Sequence, residues 1–76
     1  MNRQDRKILS EVNEGLEQQI SALEELIESF EERIDNIMEH FESGNQVSEQ
    51  LEEERDQLQE ALDELEQAKS TLEMFE

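Results

Sequence analysis

The stretch Leu16-Glu17-Gln18-Gln19-Ile20-Ser21-Ala22-Leu23-Glu24-Glu25-Leu26-Ile27-Glu28-Ser29-Phe30-Glu31-Glu32-Arg33-Ile34-Asp35-Asn36-Ile37 decides the fold. Leu9, Leu16, Leu23, Phe30 and Ile37 form one row at seven-residue spacing, and Asn13, Ile20, Ile27, Ile34 and Phe41 form a second. This 3–4 alternation is the seam of an α-helical coiled coil, with the first row at d and the second at a. Ile at a with Leu at d favours two-stranded packing. Val12, Leu26 and Met38 sit just outside the seam and widen the apolar stripe, which points to more than one neighbouring helix.

C-terminal to this helix, Glu42-Ser43-Gly44-Asn45-Gln46 interrupts the pattern. Gly44 suits the left-handed position after a helix end, and Asn45 or Ser48 suits the cap of the next helix. The second helix reads Leu51, Leu58, Leu65 and Leu72 at a, with Val47, Ala61, Ala68 and Phe75 at d and Leu62 on one flank. Glu54 falls at d, where its charge weakens the seam. The small alanines, set against large residues of helix one, would allow close antiparallel packing. The expected fold is all-α, a single domain over residues 1–76: an antiparallel helical hairpin with helix one about 5–43, a turn about 44–46 and helix two about 46–75.

At ~1.5 Å per residue the helices would be roughly 57 and 45 Å long, so helix one should overhang by about 12 Å at its N-terminal end. Ile8, Leu9 and Val12 would then lack an intramolecular partner. Two helices cannot bury both flanks of a wide stripe, so a homodimer closing into a four-helix bundle is expected. Its self-association residues would be Leu9, Val12, Leu16, Ile20, Leu23, Leu26, Ile27, Phe30, Ile34, Ile37 and Phe41 of helix one. Helix two would add Leu51, Leu58, Leu62, Leu65 and Leu72.

Charge dominates the rest of the surface. The 76 residues hold 23 Asp and Glu against 6 Lys and Arg, a net charge of −17. Residues 1–7 sum to +2 and residues 8–76 to −19. Such a surface opposes direct nucleic-acid binding and is repelled by anionic lipid. Its natural complement is a protein with a basic surface. With no Cys, Trp, Tyr or Pro there is neither a disulfide nor a zinc-thiolate site. The charged start, without an apolar run behind it, and the lack of any span-length apolar stretch lead to a cytoplasmic expectation.

Catalysis requires a nucleophile with its base, or carboxylates in contrasting environments. The carboxylates here fall at water-facing positions, so neither an enzyme nor a cofactor is expected. His40 has no second His or Cys to join it as a metal ligand, and the turn lacks the Asp-x-Asp-x-Asp-Gly spacing of a calcium loop. Asn13 at an a position reads either as a buried polar residue fixing register or as a wet residue on the overhang. Arg3, Arg6 and Lys7 oppose the helix dipole. They would pair with Glu73 and Glu76 of a neighbouring helix end or lie in a frayed start.

The carboxylates have a more specific reading. Charge of −19 spread along about 54 Å of hairpin gives one per roughly 2.8 Å, and a side-by-side pair about one per 1.4 Å. B-DNA carries one per ~1.7 Å of axis. The outward rows are Glu25, Glu28, Glu32, Asp35 and Glu39 on helix one, with Glu52, Glu53, Asp56, Glu60, Asp63 and Glu64 on helix two. They could occupy a phosphate-binding groove on a protein partner. The competing reading is a structural coiled-coil adaptor or assembly protein, whose acidity serves solubility or adaptation to high salt.

Arg6-Lys7-Ile8, the acidic Leu/Ile heptads, Ile34-Asp35-Asn36-Ile37-Met38-Glu39, the Ser/Gly/Asn turn and Leu58-Gln59-Glu60-Ala61-Leu62-Asp63-Glu64-Leu65-Glu66-Gln67-Ala68 together resemble a group of phage proteins. These are small, acidic, helical-hairpin accessory proteins of tailed phages, mostly of unassigned function, and the similarity covers most of the chain. Relatives tend to carry a proline near the turn, which this chain lacks. The resemblance implies an accessory protein acting in the host cytoplasm, where inhibiting a host defence or nucleic-acid-processing protein is a common role.

Overall fold

The computed structural model describes residues 1–40 and 46–75. They form two helices, α1 (Arg3–His40) and α2 (Gln46–Glu73), packed as an antiparallel hairpin of 60 × 14 × 13 Å. The expected Gly44 turn, the Asn45 cap and Phe41 of the seam lie outside the described residues.

α1 begins two residues earlier than the sequence reading placed it. Asn2 is the reason: its side-chain oxygen accepts a hydrogen bond from the Asp5 backbone N–H at 2.7 Å. Its carbonyl takes the first helical bond, from Arg6 N–H at 3.1 Å. This is an N-cap with an acid at the third helical position, where carboxylates offset the helix dipole. Arg3, Arg6 and Lys7 therefore belong to a capped first turn and not to a frayed start. At the far end, Met74 and Phe75 N–H groups bond to Thr71 and Leu72 carbonyls at 3.3 and 3.1 Å. The last turn tightens to i→i+3 bonds and the helix stops. α2 starts at Gln46, which puts Ser48 inside its first turn and not at the cap position.

Along α1 the a row faces the partner helix. Asn13, Ile20, Ile27 and Ile34 are buried, together with Leu9, whereas the d residues Leu16, Leu23, Phe30 and Ile37 are half-buried. In the middle of the hairpin Ile20, Ile27 and Leu62 form one buried cluster, against which Leu23, Leu58 and Leu65 pack.

α2 is rotated from its expected phase. The Leu51, Leu58, Leu65, Leu72 row does line the seam, half-buried throughout. The row beside it is Ser48, Arg55, Leu62 and Lys69, and the expected row is turned out: Val47 is 56% exposed, Phe75 57%, and Glu54, Ala61 and Ala68 are exposed. The leucines thus sit at d, and Leu62 is a seam residue and not a flank. Chemistry explains the choice. Turning the Val47 row inward would bury the Glu54 carboxylate without a counter-charge. Turning the Ser48 row inward asks only that Arg55 and Lys69 lay their alkyl stems along the seam and keep their charged ends at its edge. The alanines therefore do not set the distance between the two helices.

The overhang is shorter in effect than expected. Leu9 is buried, and it shares one apolar depression with Ile8, Val12 and Leu72. α2 therefore reaches the level of Leu9, whereas Ile8 and Val12 remain exposed.

Candidate interaction faces

The two helices leave two flanks, one on each side of the seam, and they differ in chemistry. Lys69 marks the first. Its ammonium lies 3.1 Å from Glu17 on α1 and 2.7 Å from Glu73 on α2. Hydrogen bonds to Glu73 and then to Glu17 raise its pKa above the ordinary 10.5. At seven-residue steps Glu24 and Glu31 continue the Glu17 row, and Glu66 and Glu52 continue the Glu73 row. Two glutamate rows thus run along this edge of the seam. Among the described residues, Lys69 supplies the ion pair between the helices.

The carboxylates singled out from sequence stand round the outside of this flank, except Glu64, which precedes Leu65 on the opposite side of the seam. Glu25, Glu28, Glu32, Asp35 and Glu39 are exposed on α1, as are Glu53, Asp56, Glu60, Asp63 and Glu64 on α2; Glu52 is half-buried at the seam edge. Asp56 accepts from Arg55 at 3.2 Å, and Asp63 from Gln59 at 3.1 Å. Sequence reasoning did not single out Glu17, Glu66 and Glu73 as part of this surface. For Glu66 and Glu73 the missing signal was the phase of α2, which decides which of its glutamates border the seam.

The second flank has the opposite character. On α1 the residues beyond the d row, at alternating steps of four and three, are Ile8, Val12, Gly15, Gln19, Ala22, Leu26, Ser29, Arg33, Asn36 and His40. In a chain with 23 acids, this row contains none. α2 adds Val47, Ala61, Ala68 and Phe75 with Glu54 in one row, and Gln50, Gln57, Glu64 and Thr71 in the next. Gln19, Ala22, Leu23, Leu26 and Leu65 line one shallow depression here, so the α2 leucine row opens onto the same side as Leu26. Gly15 lies on this surface, toward the N-terminal end of α1. A side chain there would meet nothing within 4 Å, although glycine inside a helix costs about 1 kcal/mol relative to alanine.

The self-association residues divide between these environments. Leu9, Ile20, Ile27, Ile34 and Leu62 are buried inside one hairpin. Leu16, Leu23, Phe30, Ile37, Leu51, Leu58, Leu65 and Leu72 are half-buried, and Val12 and Leu26 are 45% and 41% exposed. Phe41 lies outside the described residues.

Asn13 is not wet. It is 7% exposed, and neither its amide nitrogen nor its oxygen has a hydrogen-bond partner among the described residues. His40 is exposed and donates from Nδ1 to the Asn36 carbonyl at 2.7 Å. Arg33 lies over the Phe30 ring, 5.0 Å from its centre, and its guanidinium also donates to Ser29 at 3.3 Å. Among the described residues no ion pair involves Arg3, Arg6 or Lys7. There too, no cluster of His, Asp or Glu has the arrangement of a metal site, and no helix is long and apolar enough to cross a membrane. Comparison with known protein families, with characterised proteins and with solved structures finds no match for this chain.

Proposed function

We propose that the chain is a non-enzymatic protein-binding module that pairs into a four-helix bundle. Its carboxylate rows then occupy a basic, nucleic-acid-binding surface on another protein. The observation that carries this reading is charge per length. Seventeen net negative charges along a 60 Å axis amount to about one per 3.5 Å, and two hairpins side by side to about one per 1.8 Å. B-DNA presents about one per 1.7 Å. The rigid helical pair holds those charges on a straight axis at fixed spacing, so a groove built for a phosphate backbone meets them without an ordering cost at the interface. The role this suggests is inhibition of a nucleic-acid-processing or defence protein, in keeping with the resemblance to tailed-phage accessory proteins and with action in a host cytoplasm.

The test is competition. The intact protein is used to capture partners from a lysate, and duplex DNA is offered to whatever is retained. DNA should displace the protein from its partner. A variant with Glu53, Asp56, Glu60 and Asp63 changed to the corresponding amides should keep its helices and bind at least tenfold more weakly. Simultaneous binding of DNA and protein, or undiminished binding by the amide variant, would end the charge-imitation reading. The acid-poor second flank supports a second reading, a structural coiled-coil adaptor that binds through apolar contacts. That adaptor would hold its partner through rising salt, where an acidic face would let go.

A further inference from the structure

We infer that this acid-poor flank, whose α1 half carries no carboxylate, is the seat of a second copy of this chain, laid face to face so that the two hairpins share one apolar layer. The inference rests on the paired reading above and adds to it where the second copy sits. The surface exposes the apolar side chains of Val12, Leu26, Val47 and Phe75. The half-buried leucines of α2 open onto the same side.

Charge selects the occupant. A second copy brings a net −17, so on any other flank carboxylates would face carboxylates. Here the α1 row has none to present. A two-fold axis through this flank sets each surface against its own equivalent, as an isologous interface requires. A basic protein, by contrast, is drawn to the glutamate rows and gains nothing from this side. Gly15 fits the same arrangement. The hairpin gives it no positive φ and no neighbour, whereas a second helix backbone approaching closely needs a position without a side chain. The area is also sufficient. A face of 60 × 14 Å is on the order of 800 Å², the size each partner contributes to a standard stable interface.

Sedimentation of the full chain at matched concentrations, with helical signal recorded on the same samples, tests this. The wild type should sediment at twice its 9.0 kDa chain mass. Leu26→Glu should raise the dissociation constant roughly 100-fold or more, because the two-fold axis buries the new carboxylate twice. Ala22→Glu should do the same. Ala22 is exposed in the single hairpin, so unfolding of that variant would itself report loss of the second copy. Gln18→Glu adds the same charge on the outer side of α1 and should leave the mass unchanged. A wild type that stays monomeric at high micromolar concentration would overturn both this inference and the paired reading, leaving the flank to an apolar helix of another protein. A dimer indifferent to Leu26→Glu and Ala22→Glu would overturn the location alone.

Discussion

Lys69 on α2 meets Glu17 on α1 at 3.1 Å while holding Glu73, one turn further along its own helix, at 2.7 Å. One cation at a seam position thus stands between two rows of glutamates, and its pKa lies above the ordinary 10.5 because of those two carboxylates. A raised folded-state pKa means the contact contributes fully below about pH 10.5 and is lost as pH climbs through the folded value. Lys69→Met should keep the stem's packing and remove the charge. We expect its melting temperature to lie below that of the wild type at pH 8, and the gap to close as pH climbs above about 10.5 and through the raised folded-state value. A gap that persists unchanged at high pH would show that the ammonium contributes through packing and not through charge.

Asn13 offers a stabilising change. Its carboxamide is buried without a partner among the described residues, and an unsatisfied buried polar group costs about 1–3 kcal/mol. Asn13→Ile continues the Ile20, Ile27, Ile34 row and removes that cost. Urea unfolding should show a gain of about 1–3 kcal/mol, or a rise of roughly 4–8 °C in melting temperature per kcal/mol for a domain this size. Buried asparagine at an a position also restricts register and oligomer number. The variant should therefore show a broader distribution of masses in sedimentation. An equal or lower melting temperature would mean that the carboxamide is satisfied in the assembled protein.

How far the sequence discloses this arrangement differs between the helices. In α1 both rows are written in large residues, so Ile20, Ile27 and Ile34 could be placed in the seam directly. In α2 the leucines repeat every seven residues and leave two possible companion rows. The Val47, Ala61, Ala68, Phe75 row is the more apolar, and hydropathy alone chooses it. Burial goes to Ser48, Arg55, Leu62 and Lys69, because a buried Glu54 costs more than two long cations whose ends reach solvent. The same phase decides which α2 glutamates border the seam: Glu66 and Glu73 lie at its edge, whereas the outward Glu53, Asp56, Glu60 and Asp63 were legible one by one. The Asn2 cap was missed, although Asn-x-x-Asp ahead of the first heptad carries its signature.

The seam should respond unevenly to truncation. Ile27 is buried in the central cluster with Ile20 and Leu62, and Ile27→Ala should cost about 2–5 kcal/mol. Phe30 is half-buried, with Arg33 lying over its ring. In the single hairpin Phe30→Ala should cost less than Ile27→Ala. If the second copy covers the d row, the order narrows or reverses as protein concentration rises. Thermal unfolding of both variants over a hundredfold range of concentration reads this directly. Concentration-independent melting for both would mean that the d row is covered by nothing beyond its own hairpin.

The two flanks should answer salt with opposite signs. A net charge of −17 on a body 60 Å long destabilises the compact state by self-repulsion, and the repulsion between two such bodies opposes their association. At 0.1 M salt the screening length is about 10 Å, falling to about 3 Å at 1 M. Raising salt should therefore raise the melting temperature and lower the dissociation constant of the pair, whose contact is apolar and gains from excluded salts such as sulfate. Binding through the glutamate rows should move the other way, since its attraction is charge on charge across an exposed surface. A titration from about 50 to 500 mM sodium chloride, following self-association by sedimentation and release of the captured partner in parallel, separates the two. Self-association that weakens with salt would place attractive ion pairs, and not an apolar layer, at the dimer contact. Partner binding that survives the titration would move the partner off the acidic rows and onto apolar surface.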